Sequence, residues 1–210
     1  MRAVVFVGPS LPTARPVIPG LVYAPPAVRG DVIAAARSGV DVIGLVDGEL
    51  FQRAAVTPRE IRDAAAAGAR LFGAASVGAL RAVECPDAML GIGEVYRMFR
   101  TGQLDGDDEV AMTYDPTDFR TIAYPLVNVR AALAAVVAAG DGTRAQADLV
   151  IGALRRLAFH RRDRVAVTAA AAAAALPLAP LLATLGSTAH DIKRRDALAL
   201  IAALRRAGVS

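Results

Sequence analysis

The sequence has one cysteine among its 210 residues, which excludes an internal disulfide and favours a reducing compartment. Cys85 lies in Glu-Cys-Pro at an expected helix end, where a buried structural thiol is favoured over a reactive one. We also expect no signal peptide, because the first apolar run ends early, at Gly8-Pro9. These features together predict a cytoplasmic protein.

No long apolar segment is typical of a membrane span. Residues 165–189 carry no charged side chain, but most of them are alanine, and Pro177 and Pro180 interrupt the run. This segment predicts a buried helix followed by a kinked connection, so we expect no membrane partner.

Charge is distributed unevenly along the chain. The formal net charge of +4 combines −3 over residues 1–120 with +7 over residues 121–210. A basic C-terminal third favours an acidic partner, protein or nucleic acid, whereas a surface of solvated arginines is the alternative.

Strand and helix patterns alternate three times in the first 80 residues, which is typical of a parallel sheet. Thr57-Pro58-Arg59-Glu60 is a capping box with proline at the first helical position, and it predicts a helix over residues 58–67. We predict an α/β fold: a short parallel sheet core over residues 1–120, and an all-helical C-terminal portion over residues 121–210 packed on it. The other predicted strands cover 3–7, 41–46 and 69–72, and the other helices cover 32–38, 91–100, 126–139, 145–159, 164–176 and 188–206.

Three turns should meet at one edge of this sheet, because ligands of parallel sheets bind beyond the carboxyl ends of the strands. The turns are Gly8-Pro9-Ser10, Asp47-Gly48 and residues 75–78. Their polar side chains make Ser10 and Asp47 candidates for substrate binding.

The third turn has the pattern of a nucleophile elbow. A short apolar strand leads into Gly73, Ser76 and Gly78, and a helical pattern follows. Small residues on both sides of a serine allow a sharp turn that leaves its hydroxyl uncovered at a helix N-terminus. A glycine-rich turn without chemistry is the alternative.

Residues 105–109 hold four carboxylates in five positions. Their spacing does not match the twelve-residue calcium loop, so we predict a solvated acidic turn and no metal site. No cofactor is expected either.

Lysine occurs once, at Lys193, while arginine fills the other 23 basic positions. A buried lysine can lose its proton and act as a base, which arginine cannot do. Lys193 falls on one helical stripe with the apolar residues Ala197, Leu200, Ile201 and Leu204, so it is predicted to point inward. The alternative is a lysine that reaches the surface and pairs with Asp196.

A serine paired with a neutral lysine is a known alternative to the Ser-His-Asp triad. In this hypothesis Lys193 takes the proton of Ser76, and the backbone N–H groups of Val77 and Gly78 stabilise the oxyanion.

Two further residues are candidates for substrate binding. Arg81 could line the approach of an anionic substrate, or could pair with Glu84 one turn on. His190, one turn before Lys193 on the same stripe, could orient a substrate, and a partly buried packing histidine is the alternative.

Seven segments of the first 131 residues carry distinctive motifs: residues 5–11, 23–27, 29–31, 45–51, 72–82, 107–111 and 127–130. These segments resemble the TfuA family, in the same order. The resemblance implies a partner of YcaO enzymes, which activate peptide backbone amides with ATP and form thioamides when TfuA is present. It further implies hydrolysis of the thiocarboxylated C-terminus of a ThiS-like sulfur carrier, a ribosomal peptide as final substrate, no nucleic acid partner, and a Ser-Lys pair whose serine is Ser76.

The lysine of the pair is assigned separately. Members of the family often have His-Lys-Glu-Ile where this chain has Thr57-Pro58-Arg59-Glu60-Ile61. Arginine cannot replace a catalytic lysine as a base, so we assign the role to Lys193. The rival hypothesis is a non-catalytic adaptor that docks YcaO to its peptide or carrier, and a phosphate-binding protein ranks below both for want of a P-loop lysine.

Overall fold

The computed structural model describes residues 1–50 and 55–209. The chain divides into two compact units, Met1–Asp107 with Lys193–Ser210, and Asp108–Ile192. This division differs from the predicted boundary at residue 120, because the last helix belongs to the first unit. Phe51, at the end of one family-like segment, lies outside the described residues.

The first unit is built on a five-stranded parallel sheet in the order β2-β1-β3-β4-β5, so the predicted α/β fold is confirmed. Sheets of this order bind ligands outside the carboxyl ends of the strands, at the switch point between β1 and β3. The strands are β1 (Ala3–Phe6), β2 (Leu21–Ala24), β3 (Val42–Leu45), β4 (Arg70–Ala74) and β5 (Met89–Ile92).

Helices cover both faces of this sheet. The described helices of the chain are α1 (Asp31–Arg37), α2 (Pro58–Ala66), α3 (Val77–Glu84), α4 (Gly93–Arg100), α5 (Leu126–Ala138), α6 (Arg144–Arg155), α7 (Arg164–Ala173), α8 (Leu178–Leu185) and α9 (Ile192–Arg206). Buried side chains of α1, α2 and α3 pack on one face with Val4, Ile43 and Leu71. On the other face α9 packs against Val5 and Phe72. Successive residues of a strand point to opposite faces, which explains the two separate cores.

Two strands of this sheet were missed in the sequence. The five prolines of residues 9–28 predict an extended excursion, yet β2 lies within it as an edge strand, where parallel pairing is needed on one side only. The strand β5 is four residues long and contains Gly91, so it shows no clear period.

The second unit is a helical cluster with a small hairpin. Helices α5 to α8 bury one common core that includes Leu133, Leu154 and Leu181. The antiparallel hairpin consists of β6 (Thr113–Tyr114) and β7 (Thr121–Ala123). The predicted connection after the alanine-rich helix is present but short: Pro177 is the N-cap of α8, a helix missed in the sequence, and Pro180 lies in its first turn. A proline in the first turn of a helix removes no intrahelical hydrogen bond.

None of the helices that the structure describes is both long and apolar enough to cross a membrane. Cys85 is buried and free of any disulfide, as predicted, and burial raises the pKa of its thiol.

The carboxylate of Glu60 links α2 to α1. The predicted cap is present, since Thr57 Oγ1 accepts a hydrogen bond from the Glu60 N–H at 3.1 Å. The Glu60 side chain does not complete the capping box but turns to α1. There its Oε1 atom accepts hydrogen bonds from Gly30 N–H at 2.9 Å, Val32 N–H at 3.0 Å and Ile33 N–H at 3.4 Å.

We predict that Glu60→Ala lowers the free energy of unfolding by about 1–3 kcal/mol, because it leaves buried N–H groups of α1 without an acceptor. Urea unfolding followed by circular dichroism measures this change. The control is Asp63→Ala on the same helix, whose exposed pair with Arg59 at 3.7 Å contributes at most about 1 kcal/mol. Equal losses in the two variants would contradict the assignment.

Candidate functional site

The three predicted turns meet at the carboxyl edge of the sheet, at the β1/β3 switch point. Asp47, just after β3, accepts hydrogen bonds at its Oδ2 atom from the Gly8 and Ser10 N–H groups, both at 2.9 Å. Its Oδ1 atom accepts one from Ser10 Oγ at 2.6 Å. The Gly78 N–H donates to the Val46 carbonyl at 3.2 Å. The predicted convergence of the three turns is therefore confirmed.

Ser10 and Asp47 bind each other in this arrangement. Both residues are buried, and the carboxylate holds the turn after β1 against the end of β3. The structure thus gives the pair a role in fixing the edge of the sheet, and its role in substrate binding stays a prediction.

The turn before Ser76 is strained. Ser76 N–H donates to the Ala74 carbonyl at 2.8 Å, and Ala75 between them has a φ of 64°. A three-residue turn with positive φ is rare, and the left-handed region costs a residue with a Cβ roughly 1–2 kcal/mol. Strain of this kind concentrates at functional sites, where the surrounding structure enforces it.

The surrounding structure does enforce it, through two glycines. A Cβ atom on Gly78 would lie 1.8 Å from the Leu45 carbonyl oxygen, and one on Gly73 would lie 2.2 Å from the Gly78 carbonyl oxygen. The first turn of α3 therefore packs directly on the backbone of β3 and β4. This close packing fixes the backbone of Ser76 at the start of the helix.

Ser76 is the N-cap residue of α3, as predicted, but it is only 4% exposed, so the structure buries the residue whose hydroxyl the elbow pattern predicted to be uncovered. Its side chain makes no capping hydrogen bond, so its hydroxyl is not used to satisfy the helix. Because the Gly78 N–H already binds Val46, it is not available as an oxyanion donor in this structure. Val77 N–H lies at the first helical position, where no intrahelical acceptor exists, and remains the candidate donor.

Helix α9 runs antiparallel to the strands. Near its end, the Ala207 carbonyl accepts a hydrogen bond at 3.2 Å from Arg70, which begins β4. Near its start, Asp196 accepts hydrogen bonds from Glu94 and Val95, which follow β5. The first turn of α9, with Lys193, therefore lies at the carboxyl edge of the sheet.

The predicted inward stripe is confirmed. Lys193 is 1% exposed, which excludes the alternative of a side chain that reaches the surface. The four apolar members of the stripe are buried as well, while Arg195, Arg205 and Arg206 are exposed. Ala74 and Ala75, which precede Ser76, share a buried cluster with Ala197, one turn after Lys193. Ser76 and Lys193 thus belong to the same edge of the same sheet.

Sequence reasoning considered Asp196 only as a surface partner of Lys193. The structure instead buries it to 4% exposure, with Oδ1 2.9 Å from Glu94 N and Oδ2 2.7 Å from Val95 N. Burial raises the pKa of this carboxyl to about 6, although the N–H of Val95 acts in the opposite direction. Its position three residues after Lys193, on the same side of the helix, was the available signal.

The surroundings of Arg81 and His190 differ from those expected for their candidate role in substrate binding. Arg81 forms an ion pair with Glu84 and donates to the Val56 carbonyl at 2.6 Å, so the structural alternative holds for its side chain here. His190 is exposed and lies in a turn closed by its N–H and the Ser187 carbonyl, in the second unit. Its predicted place on the α9 stripe is wrong, because α9 begins at Ile192.

The predicted solvated acidic turn holds only in part: Asp105 and Asp107 are exposed, whereas Asp108 and Glu109 are bound by arginines. Glu109 is buried and receives both a 2.9 Å and a 2.7 Å hydrogen bond from the Arg130 guanidinium. The buried Arg162 binds the Asp108 carboxylate at 2.5 Å and its carbonyl at 2.8 Å. The second unit thus neutralises these two carboxylates with arginines. Within residues 1–50 and 55–209, no three His, Cys, Asp or Glu side chains come together as metal ligands would.

The raised pKa of Asp196 predicts an unusual pH dependence of stability. The native carboxyl keeps its proton up to about pH 6, whereas its ordinary value is 3.8. The native state therefore binds more protons between these values, and its free energy of unfolding falls as pH rises. The variant Asp196→Asn cannot titrate at this position. Relative to it, the free energy of unfolding of the wild type should fall by on the order of 2–3 kcal/mol between pH 4 and pH 7.

Urea unfolding of the two proteins at intervals of pH measures this difference. A difference that stays flat, or that grows in favour of the wild type as pH rises, would contradict the prediction.

Comparison with known proteins agrees with the resemblance seen in the sequence. No curated protein matches this chain. A family model described as TfuA-like protein matches residues 47–163, which is more than half of the chain and includes the elbow and the acidic segment. The chain belongs to the TfuA-like protein family.

Proposed function

We propose that this protein works with a YcaO enzyme in peptide backbone thioamidation, by hydrolysing the thiocarboxylated C-terminus of a ThiS-like carrier to release sulfide. Membership of the TfuA-like family supports the pathway. One observation carries the chemistry: the single lysine of the chain is buried at the same sheet edge as a serine on a strained elbow. Serine with a neutral lysine is an established nucleophile and base.

The proposed reaction has two halves. Neutral Lys193 takes the proton from Ser76 Oγ, and Oγ attacks the thiocarboxylate carbon to give a tetrahedral intermediate. The protonated Lys193 then gives its proton to the departing sulfur, the C–S bond breaks, and hydrosulfide leaves. Lys193 is neutral again, and the carrier stays on Ser76 as an ester. Lys193 next takes a proton from water, the hydroxide attacks the ester carbon, and the carrier leaves with an ordinary carboxylate while Ser76 regains its proton.

The start of α3 suits the charge that develops in these steps. The Val77 N–H and the helix dipole favour an anion at this point, and a removed oxyanion donor costs about 3–4 kcal/mol in comparable enzymes. The burial of the site strengthens such interactions, because water screens them less. The Arg81 guanidinium, which is held by Glu84 and Val56, is not needed in this scheme.

The adaptor function is a second candidate, and the surface of the second unit favours it. Arg155, Arg156, Arg161 and Arg164 are exposed within ten residues of sequence. Such a basic surface suits an acidic protein partner. An adaptor would need neither the Ser76 hydroxyl nor the Lys193 amine.

We predict that Ser76→Ala and Lys193→Arg each lower the rate of sulfide release from a thiocarboxylated carrier by about a thousandfold or more, because each removes one member of a unit. Lys193→Arg keeps a long basic side chain of similar bulk, but the guanidinium stays protonated and cannot act as the base. A sulfide-specific colorimetric or fluorescent assay measures the rate.

The matched control is the double variant Lys193→Arg, Arg195→Lys, which keeps one lysine on α9 but places it on the exposed side. It should stay as inactive as Lys193→Arg alone. If Ser76→Ala supports thioamidation by YcaO at unchanged turnover, the hydrolase is wrong and the adaptor is right.

A further inference from the structure

We propose that Asp196 is a positioning residue for Lys193: its carboxylate fastens the first turns of α9 to the start of α4, and so holds the amine at the catalytic edge. The inference rests on the proposed function for its effect on rate. Its structural part, that the Asp196 contact sets the place of Lys193, stands on the geometry alone.

The contact is a two-point attachment. Asp196 Oδ1 accepts from Glu94 N–H at 2.9 Å and Oδ2 accepts from Val95 N–H at 2.7 Å. These N–H groups belong to the first turn of α4, which has no N-cap side chain because its N-cap position is Ile92. A carboxylate 101 residues away along the chain therefore replaces the missing cap.

Gly93 makes the close approach possible. Its φ is 96°, and a Cβ atom there would lie 2.3 Å from Asp196 Cγ. Both the backbone conformation and the lack of a side chain are therefore needed at this position. The contact therefore depends on two segments that are distant in sequence, the start of α4 with Gly93 and the first turns of α9 with Asp196.

The attachment acts on Lys193 through the helix. Residues three apart on a helix share a face, and both of these side chains are buried. The contacts of α9 in its buried apolar cluster begin at Ala197, and Asp196, three residues after Lys193, joins the helix to α4 by two hydrogen bonds. Apolar packing alone tolerates small slides of a helix, whereas two hydrogen bonds to fixed N–H groups do not.

The experiment compares Asp196→Asn and Gly93→Ala, which break the same contact from its two sides. Asparagine has one acceptor oxygen, so its NH2 group would face one of the two backbone N–H groups, and two donors cannot bind each other. We expect each variant to lower kcat for sulfide release about 10- to 100-fold, with KM changed by no more than about threefold, since a small misplacement of a catalytic group has an effect of this size. The double variant should fall no further than the slower single variant, because one contact cannot be broken twice.

Gly68→Ala is the matched control. Gly68 has a φ of 97°, nearly that of Gly93, but a Cβ there would meet no atom within 4 Å. It precedes β4, at the opposite edge of the sheet from Lys193. This variant carries the same backbone strain without the contact, so its kcat should stay within about twofold of the wild type. If Gly68→Ala loses as much rate as Gly93→Ala, or if Asp196→Asn keeps the full kcat, the positioning role is wrong.

A second readout needs no activity. The chain has one lysine, so protein labelled with [¹³C]lysine gives a single lysine ¹³Cε resonance, from Lys193. Asp196→Asn and Gly93→Ala should shift or split this resonance, and Gly68→Ala should leave it in place. An unmoved resonance in both contact variants overturns the proposal. The two proposals can also fail separately. If the resonance shifts in the contact variants but Ser76→Ala and Lys193→Arg leave the rate of sulfide release unchanged, the positioning of Lys193 by Asp196 is supported and the hydrolase is rejected.

Discussion

The contact of α3 with the backbone of β3 is the constraint on which the candidate site depends. A hydrogen bond from Gly78 N–H to Val46 and the absence of a side chain at Gly78 bring the helix directly onto the strand. Ala75 has a positive φ at the point where the chain passes from β4 to this closely held helix. Because the Gly78 N–H already donates to Val46 in this contact, the start of the helix offers a ligand the Val77 N–H rather than two adjacent donors.

Helix α9 both covers one face of the sheet and carries candidate functional residues, two roles that usually fall to different segments of a parallel α/β fold. Its apolar stripe covers the second face of the sheet, together with Leu11 and Ile18 of the helix-free connection between β1 and β2. The same stripe carries Lys193 and, beside it, Asp196. A buried amine and a buried carboxyl group both lose hydration, which makes each of them costly to a fold that used α9 for packing alone. Their presence on the packing surface favours a functional reason for both.

Particular residues show what the sequence could predict. Thr57, the strand at residues 3–7 and the Lys193 stripe follow from local patterns, and the structure confirms them. The second unit was harder, since Glu109 binds Arg130 over 21 residues of sequence and no local pattern marks the pair. Asp196 and Glu60 were misjudged for the same reason, because each carboxylate serves N–H groups on another helix. Long-range satisfaction of backbone N–H groups has no period, so it cannot be read from one segment.

The placement of α9 has a consequence for synthesis. Residues 108–192 form the second unit, so the first unit is interrupted and is completed by residues 193–210. A ribosome makes the N-terminal part of a chain first, and domains tend to fold as whole units. The sheet therefore emerges before α9 can cover its second face, and that face stays incompletely covered until residues 193–210 have left the exit tunnel. During that interval the nascent chain should be a client for chaperones, and a premature stop before α9 should leave an insoluble product rather than a weakly active one.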